Sequence, residues 1–126
     1  MDVAIKFPIC NIIACEDIAI NSEQKMYICN PFTGSSGKIM KRFFTYTVIQ
    51  GIPNGEQIFK IQLLDSGNKL VKQTDETKVK VEENLIRAKT QWTNIMFQQS
   101  GEHSLRVLLK CNNFFEVIGS SNLYIK

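Results

Sequence analysis

His103 is the one histidine of the chain, so any histidine-dependent proton transfer would have to pass through it. A general base or nucleophile activator needs a carboxylate or nucleophile converging on its ring. Glu102 is adjacent in sequence and therefore points to the opposite face of a strand. Nothing local supports a Ser-His-Asp or Cys-His arrangement. His103 reads as an ordinary strand-end side chain, sharing the parity of Leu105, Val107 and Leu109. The carboxylates come as neighbours, Glu16-Asp17, Asp75-Glu76 and Glu82-Glu83. Two acids cleave a glycosidic bond only from facing positions across a cleft; adjacent acids in loops read as solvated surface. The four cysteines, Cys10, Cys15, Cys29 and Cys111, stand in apolar surroundings. Disulfides and a metal are the alternatives, but paired zinc-type spacing is missing and one histidine is too few for the usual substitutes. They read as buried thiols packing as small hydrophobes.

Gly34-Ser35-Ser36-Gly37-Lys38 has the look of the end of a phosphate-binding loop. Phe32 stands where that motif needs its first glycine, and Ile39 stands where it needs the magnesium-holding Ser or Thr. The residues after Lys38 are strand-like, whereas phosphate is cradled by the amides of an opening helix. The stretch reads as a solvated loop. No catalytic, cofactor-binding or metal-binding set emerges, so the chain is expected not to be an enzyme and to carry no cofactor.

Trp92, Tyr46, Phe43 and Phe44 could form an exposed platform for sugars or single-stranded nucleic acid. Their other reading is core, where aromatics fill sandwich interiors. Lys69, Lys72, Lys78 and Lys80 could make a basic patch, diluted by Asp75, Glu76, Glu82 and Glu83. Fifteen Lys and Arg against twelve Asp and Glu give a net charge of only +3. That balance speaks against nucleic acid, whose binders concentrate basic charge. With 126 residues and a hydrophobic share of 44%, residues 1–126 are expected to form one domain. Asp2, Lys6, Asn11, Glu16 and Asp17 break the N-terminal apolar run. No signal-peptide pattern and no membrane span are read there, and the expected location is the cytoplasm.

The elements that would position these residues are strands. Residues 55–64 alternate, with Phe59, Ile61 and Leu63 on one face and Lys60 and Gln62 on the other. Residues 101–109 echo them through Leu105, Val107 and Leu109, each copy following a glycine turn. One such strand in each half of the chain suggests a sandwich built around their inward faces. Residues 3–14 read as a first strand whose pattern slips near Cys10-Asn11, at a bulge or where the strand passes between sheets, 16–24 as a loop, 25–30 as a second strand and 31–38 as a loop. Residues 42–50 form a strand whose two faces are about equally apolar. With the turn at Pro53-Asn54-Gly55 and a second at 65–68, residues 42–73 read as a three-stranded meander. Lys78 and Lys80 mark 78–81 as an edge strand. Residues 82–89 are ambiguous; 90–98, 103–110, 114–118 and 122–125 are strands, with a tight turn at Asn112-Asn113.

Gly55-Glu56 leading into Leu64-Asp65-Ser66-Gly67-Asn68, then Gly101-Glu102-His103 leading toward Leu123-Tyr124-Ile125, resembles a family of uncharacterised bacterial single-domain immunoglobulin-like proteins. The resemblance covers the chain from about Arg42 onward. It implies a cytoplasmic sandwich with no assigned activity and no functional residues to carry over. The expectation is an all-β, antiparallel immunoglobulin-like β-sandwich of about eight to ten short strands. Its expected role is a non-catalytic protein-interaction module, with self-association through sheet edges open. A sandwich that binds carbohydrate or another small ligand through surface aromatics is the alternative.

Overall fold

Ten strands carry the chain in a computed structural model that describes residues 8–35 and 37–126. They are β1 (Ile9–Ile20), β2 (Met26–Phe32), β3 (Gly34–Ser35), β4 (Ile39–Gln50) and β5 (Gly55–Leu64), then β6 (Leu70–Gln73), β7 (Thr77–Val81), β8 (Leu85–Met96), β9 (Gly101–Cys111) and β10 (Phe114–Ile125). One sheet has the order β2-β1-β4-β8; the other runs β3-β10-β9-β5-β6, with β7 also paired to β5. The two sheets pack as a β-sandwich.

The alternating strands behave as their parity dictates. β5 and β9 are neighbours in one sheet. Phe59 stands opposite Leu109, Ile61 opposite Val107 and Leu63 opposite Leu105, and all six are buried. Facing them from the other sheet are Phe43, Ile49, Ile86, Trp92 and Ile95. The Phe43 and Trp92 rings stack at 5.9 Å. Trp92 Nε1 donates to Thr45 Oγ1 at 3.0 Å, giving the buried indole its partner.

The meander over 42–73 does not form. β4 and β5 lie in different sheets, because the link between them carries Ile52, which is buried in the core. Gly51 N donates to the Asn84 carbonyl at 3.0 Å, and Asn84 Nδ2 donates to the Ile52 carbonyl at 2.8 Å. The two crossings between sheets, 51–54 and 82–84, thus hold each other. The ambiguous 82–89 stretch resolves into this turn and the start of β8.

β1 runs on through Glu16-Asp17 to Ile20, where a loop was expected, because Asp17–Ile20 pairs with β2. The β1–β4 register is continuous from Ile9 to Cys15, so β1 has no bulge near Cys10; residues 3–7 of the expected first strand lie outside the described residues. The breaks in alternation fall elsewhere, at Asn30 (φ 51°) and Asn94 (φ 53°), a conformation asparagine tolerates better than most residues. In β8, Trp92 and Ile95 both face the core although three apart. In β1, Cys15 and Ile18 are likewise three apart and share a second cluster with Phe44, on the outer side of the sheet.

The expected loop over 31–38 contains β3, which pairs parallel to Tyr124–Ile125. The sandwich is therefore not purely antiparallel. β10 is one strand rather than two, with a register shift between Val117 and Gly119. That shift lies where β10 meets β1. A β-carbon on Gly119 would stand 2.7 Å from both Cβ and Sγ of Cys10.

Candidate functional site

The residues weighed for catalysis are kept apart by the fold. His103 is fully buried, not an exposed strand end. Its Nδ1–H donates to the Gly101 carbonyl at 3.0 Å, and its ring meets Phe97 edge-on at 5.1 Å. Its Nε2 has no hydrogen-bond partner among the described residues, and Leu123 is its cross-strand neighbour. Glu16, Asp17, Asp75, Glu76, Glu82 and Glu83 are spread over different strands and turns, with no two of these pairs facing across a cleft. Among the described residues no three His, Cys, Asp or Glu side chains converge as a metal site would require.

Cys15 is buried, and Cys10, Cys29 and Cys111 are half-buried rather than fully inside. Burial pushes the Cys10 thiol up to about 11. Burial also raises Cys15, with Cys29 and Asp17 pushing the same way. A thiol so shifted stays protonated near neutral pH and is a poor nucleophile.

The aromatic platform is also dispersed. Phe43, Phe44 and Trp92 are buried, and Tyr46 is half-buried. Of the four lysines, Lys72 Nζ donates to the Thr93 carbonyl at 3.2 Å, and Lys78 faces Glu56 at 3.5 Å. The Gly34–Lys38 stretch begins as extended backbone beside β10, not as the start of a helix; Ser36 lies outside the described residues.

What the fold does assemble is an apolar stripe on the outer face of the β2-β1-β4-β8 sheet. Along β1, Cys10, Ile12 and Ala14 turn inward. Ile9, Asn11, Ile13 and Cys15 turn outward by alternation; Ile18 joins Cys15 and Phe44 on that side, and Ile20 shares the parity of Ile18. Ile28 is the cross-strand partner of Ile18, Met26 of Ile20, Tyr46 of Ile13 and Phe44 of Cys15. Cys15, Ile18 and Phe44 form the buried floor. Ile20 (57% exposed), Ile13, Met26 and Ile28 stand open to solvent around it, and Ile9 (61%) lies farther along β1 beyond Asn11.

Cations line one flank. Arg42 lies 5.6 Å and Lys89 Nζ 5.0 Å from the Phe44 ring centre. Lys89 Nζ also donates to the Ile18 carbonyl at 3.3 Å, tying β8 to the far end of β1. Arg87, opposite Val48, follows on the same face. The other outer face is different in kind: Lys60 and Lys110 cover Phe115 at 4.2 and 5.9 Å, and Arg106 donates to Asn68 Oδ1 at 3.3 Å.

β2 adds an open edge. Its residues Met26-Tyr27-Ile28-Cys29-Asn30-Pro31-Phe32 carry no charge; of the usual guards of an unpaired edge, charge, proline, bulges or cover, it has Pro31 and the left-handed Asn30, which leave 26–28 open. The other edges have such guards: β7 carries Lys78 and Lys80, β8 is tied to β6 through Lys72, and β10 is covered by β3 and β1. Sequence reading missed the stripe because Ile9 and Ile13 fell on a strand with apolar residues on both faces, while Ile18 and Ile20 fell in an expected loop. Among the described residues there is no helix long and apolar enough to cross a membrane. No protein-family model matches this sequence, and no curated protein does.

Proposed function

We propose that this chain is a non-catalytic protein-interaction module that docks its partner on the outer face of β1 and β2. The observation that carries this reading is the exposed apolar surface around the Cys15–Ile18–Phe44 floor, formed by Ile13 and Ile20 and widened by Met26 and Ile28. Contiguous exposed apolar surface marks interaction sites. Arg42, Lys89 and Arg87 along one flank select a partner surface whose apolar centre is bordered by acids, since matched charge steers and orients docking.

The sandwich itself is taken as immunoglobulin-like. β1, β4 and β8 in one sheet and β5, β9 and β10 in the other correspond in order to strands A, B and E against C, F and G of that fold. The free cysteines fit a reducing compartment such as the cytoplasm. The alternative, a carbohydrate-binding sandwich, has less to stand on. Its exposed aromatics, Tyr27, Phe114 and Tyr124, sit on β2, at the β9–β10 turn and beside β3.

The experiment is affinity capture from cytoplasm with the parent chain, with Ile13→Asp, and with Lys80→Glu on β7. The expected result is a stoichiometric partner held by the parent and by Lys80→Glu and lost with Ile13→Asp. A partner lost with Lys80→Glu but kept by Ile13→Asp would move the working surface to the opposite sheet and end this reading.

A further inference from the structure

We propose that the open edge of β2 pairs with β2 of a second copy of this chain, joining two four-stranded sheets into one of eight. This rests on the reading of β1 and β2 as the working surface and names the occupant of its edge.

The backbone sets the register. Lys25 turns its carbonyl toward Asn21 on the β1 side, accepting from Asn21 N at 3.0 Å. Successive residues of a strand point their peptide groups to alternate sides. The N–H and C=O groups of Met26 and Ile28 therefore point away from β1, out of the edge. An antiparallel pairing about a two-fold axis at Tyr27 sets Met26 opposite the second copy's Ile28, and Ile28 opposite its Met26. Both become hydrogen-bonded pairs, and two apolar contacts form on the stripe side of the sheet. Beyond Ile28 the edge is interrupted by Asn30 (φ 51°) and by Pro31, which has no N–H. The pairing segment is thus 25–29, and Tyr27 is its centre.

Charge fits the same register. Lys25 comes opposite Cys29 of the other copy, beside the Glu16 carboxylate that accepts from Asn30 Nδ2 at 3.0 Å. In each separate chain Glu23 and Lys25 are exposed and meet each other at 3.5 Å. Two-fold symmetry makes every such contact twice, as a self-complementary interface requires. A two-fold axis normal to the sheet keeps both apolar stripes on one side, so the pair offers a docking face of double width.

Sedimentation equilibrium of the full chain tests this, with Ile28→Pro as the discriminating variant. Proline removes an N–H that points out of the edge and so leaves the β1–β2 ladder whole. The expected result is a dimer for the parent and a monomer for Ile28→Pro with unchanged circular dichroism. Lys25→Glu should weaken the dimer by about twofold to thirtyfold, the range for two exposed ion pairs, and adding Glu16→Lys should restore it. Tyr27→Cys with Cys29→Ser keeps the test sharp if Ile28→Pro fails to fold. The Tyr27 pair would be a non-hydrogen-bonded one with Cα atoms about 4.5 Å apart, within disulfide reach, so mild oxidation should yield covalent dimer. A parent that stays monomeric to about 1 mM overturns the pairing, as does a dimer that survives Ile28→Pro or leaves the Tyr27→Cys chain uncrosslinked. A monomer whose partner capture still depends on Ile13 would overturn the pairing alone and leave the docking face standing.

Discussion

Gly119→Ala is expected to destabilise the protein by pushing β1 and β10 apart, and three distances set the size of the effect. The new methyl would stand 2.7 Å from Cys10 Cβ, 2.7 Å from Cys10 Sγ and 3.1 Å from the Cys10 carbonyl oxygen. Carbon atoms in contact sit about 3.5–4.0 Å apart, so β10 must yield by nearly an ångström at its register shift. Overpacking of this kind costs about 1–3 kcal/mol. Urea unfolding monitored by fluorescence of the buried Trp92 reads it directly. With a denaturant slope of about 1–3 kcal/mol per molar, the midpoint should fall by about 1 M. Cys10→Gly removes both clashing side-chain atoms and leaves only the carbonyl contact. Gly119→Ala should therefore cost much less in the Cys10→Gly background than in the parent, with a coupling of about 1–2 kcal/mol. Gly55→Ala is the contrast: it has open space around it but φ of +105°, so its cost should be backbone strain, untouched by Cys10→Gly. Additive effects of Gly119→Ala and Cys10→Gly would refute the reasoning, because the two strands would then not close the sandwich at this point.

Thr45 and Thr47 are both fully buried, yet their valine variants should move in opposite directions. Thr45→Val strands the Trp92 indole N–H that donates to it and should cost about 1–3 kcal/mol, whereas Thr47→Val removes a hydroxyl without a partner among the described residues and should leave the melting temperature unchanged or raise it. Stability should also depend on Cys10 at alkaline pH. Its thiol is held up to about 11 from an ordinary 9.0, so the folded chain keeps a proton that the unfolded chain releases. That contribution is complete below about pH 9 and is lost as pH rises through about 11. The urea midpoint of the parent should therefore fall more steeply over that interval than that of Cys10→Ala. Lys89→Met should loosen the far end of β1, since it removes the bond to the Ile18 carbonyl. Faster hydrogen exchange at Ala19 and Tyr27, which face each other across the β1–β2 ladder, with little change at Ile61, would register it.

The strands that alternate cleanly were legible. β5 and β9 each bury one parity, and the lysines of β7 mark it as an edge strand, as the structure confirms. What alternation could not convey is which sheet a strand joins. Pro53-Asn54-Gly55 turns a chain equally well within a sheet or between sheets, and the clue to the crossing was Ile52, an apolar residue inside a turn. Nor could it place residues beyond a left-handed asparagine. Asn94 shifts the parity of β8 by one, so Trp92 and Ile95 share a side; Cys15 and Ile18 of β1 do the same where Glu16 faces the left-handed Asn30 of β2, a spacing that suits no regular strand. The far half of β1 looked like a loop because Glu16 and Asp17 interrupt its apolar residues. Paired only to β2, that ribbon has a face in water, where acids are at home.

The stripe was hidden for a related reason. A strand with apolar residues on both sides normally reads as buried on both, and β1 and β4 satisfy that pattern. The inner side is met by the second sheet. The outer side has only its own floor of Cys15, Ile18 and Phe44, capped by Lys89 and Arg42. The fold needs Phe44 and Ile18 to hold the β1–β2 ribbon down, and one such contact accounts for their burial. It does not account for Ile13, Ile20, Met26 and Ile28, which lie around that floor and gain nothing from the folded monomer. Large exposed apolar side chains beside an uncharged edge are an aggregation hazard. β7 shows that this chain guards an edge with lysines where it needs to. On β2 the guards, Asn30 and Pro31, stand only in the far half, so the open segment 26–28 lies directly beside the Ile18–Ile20 end of β1.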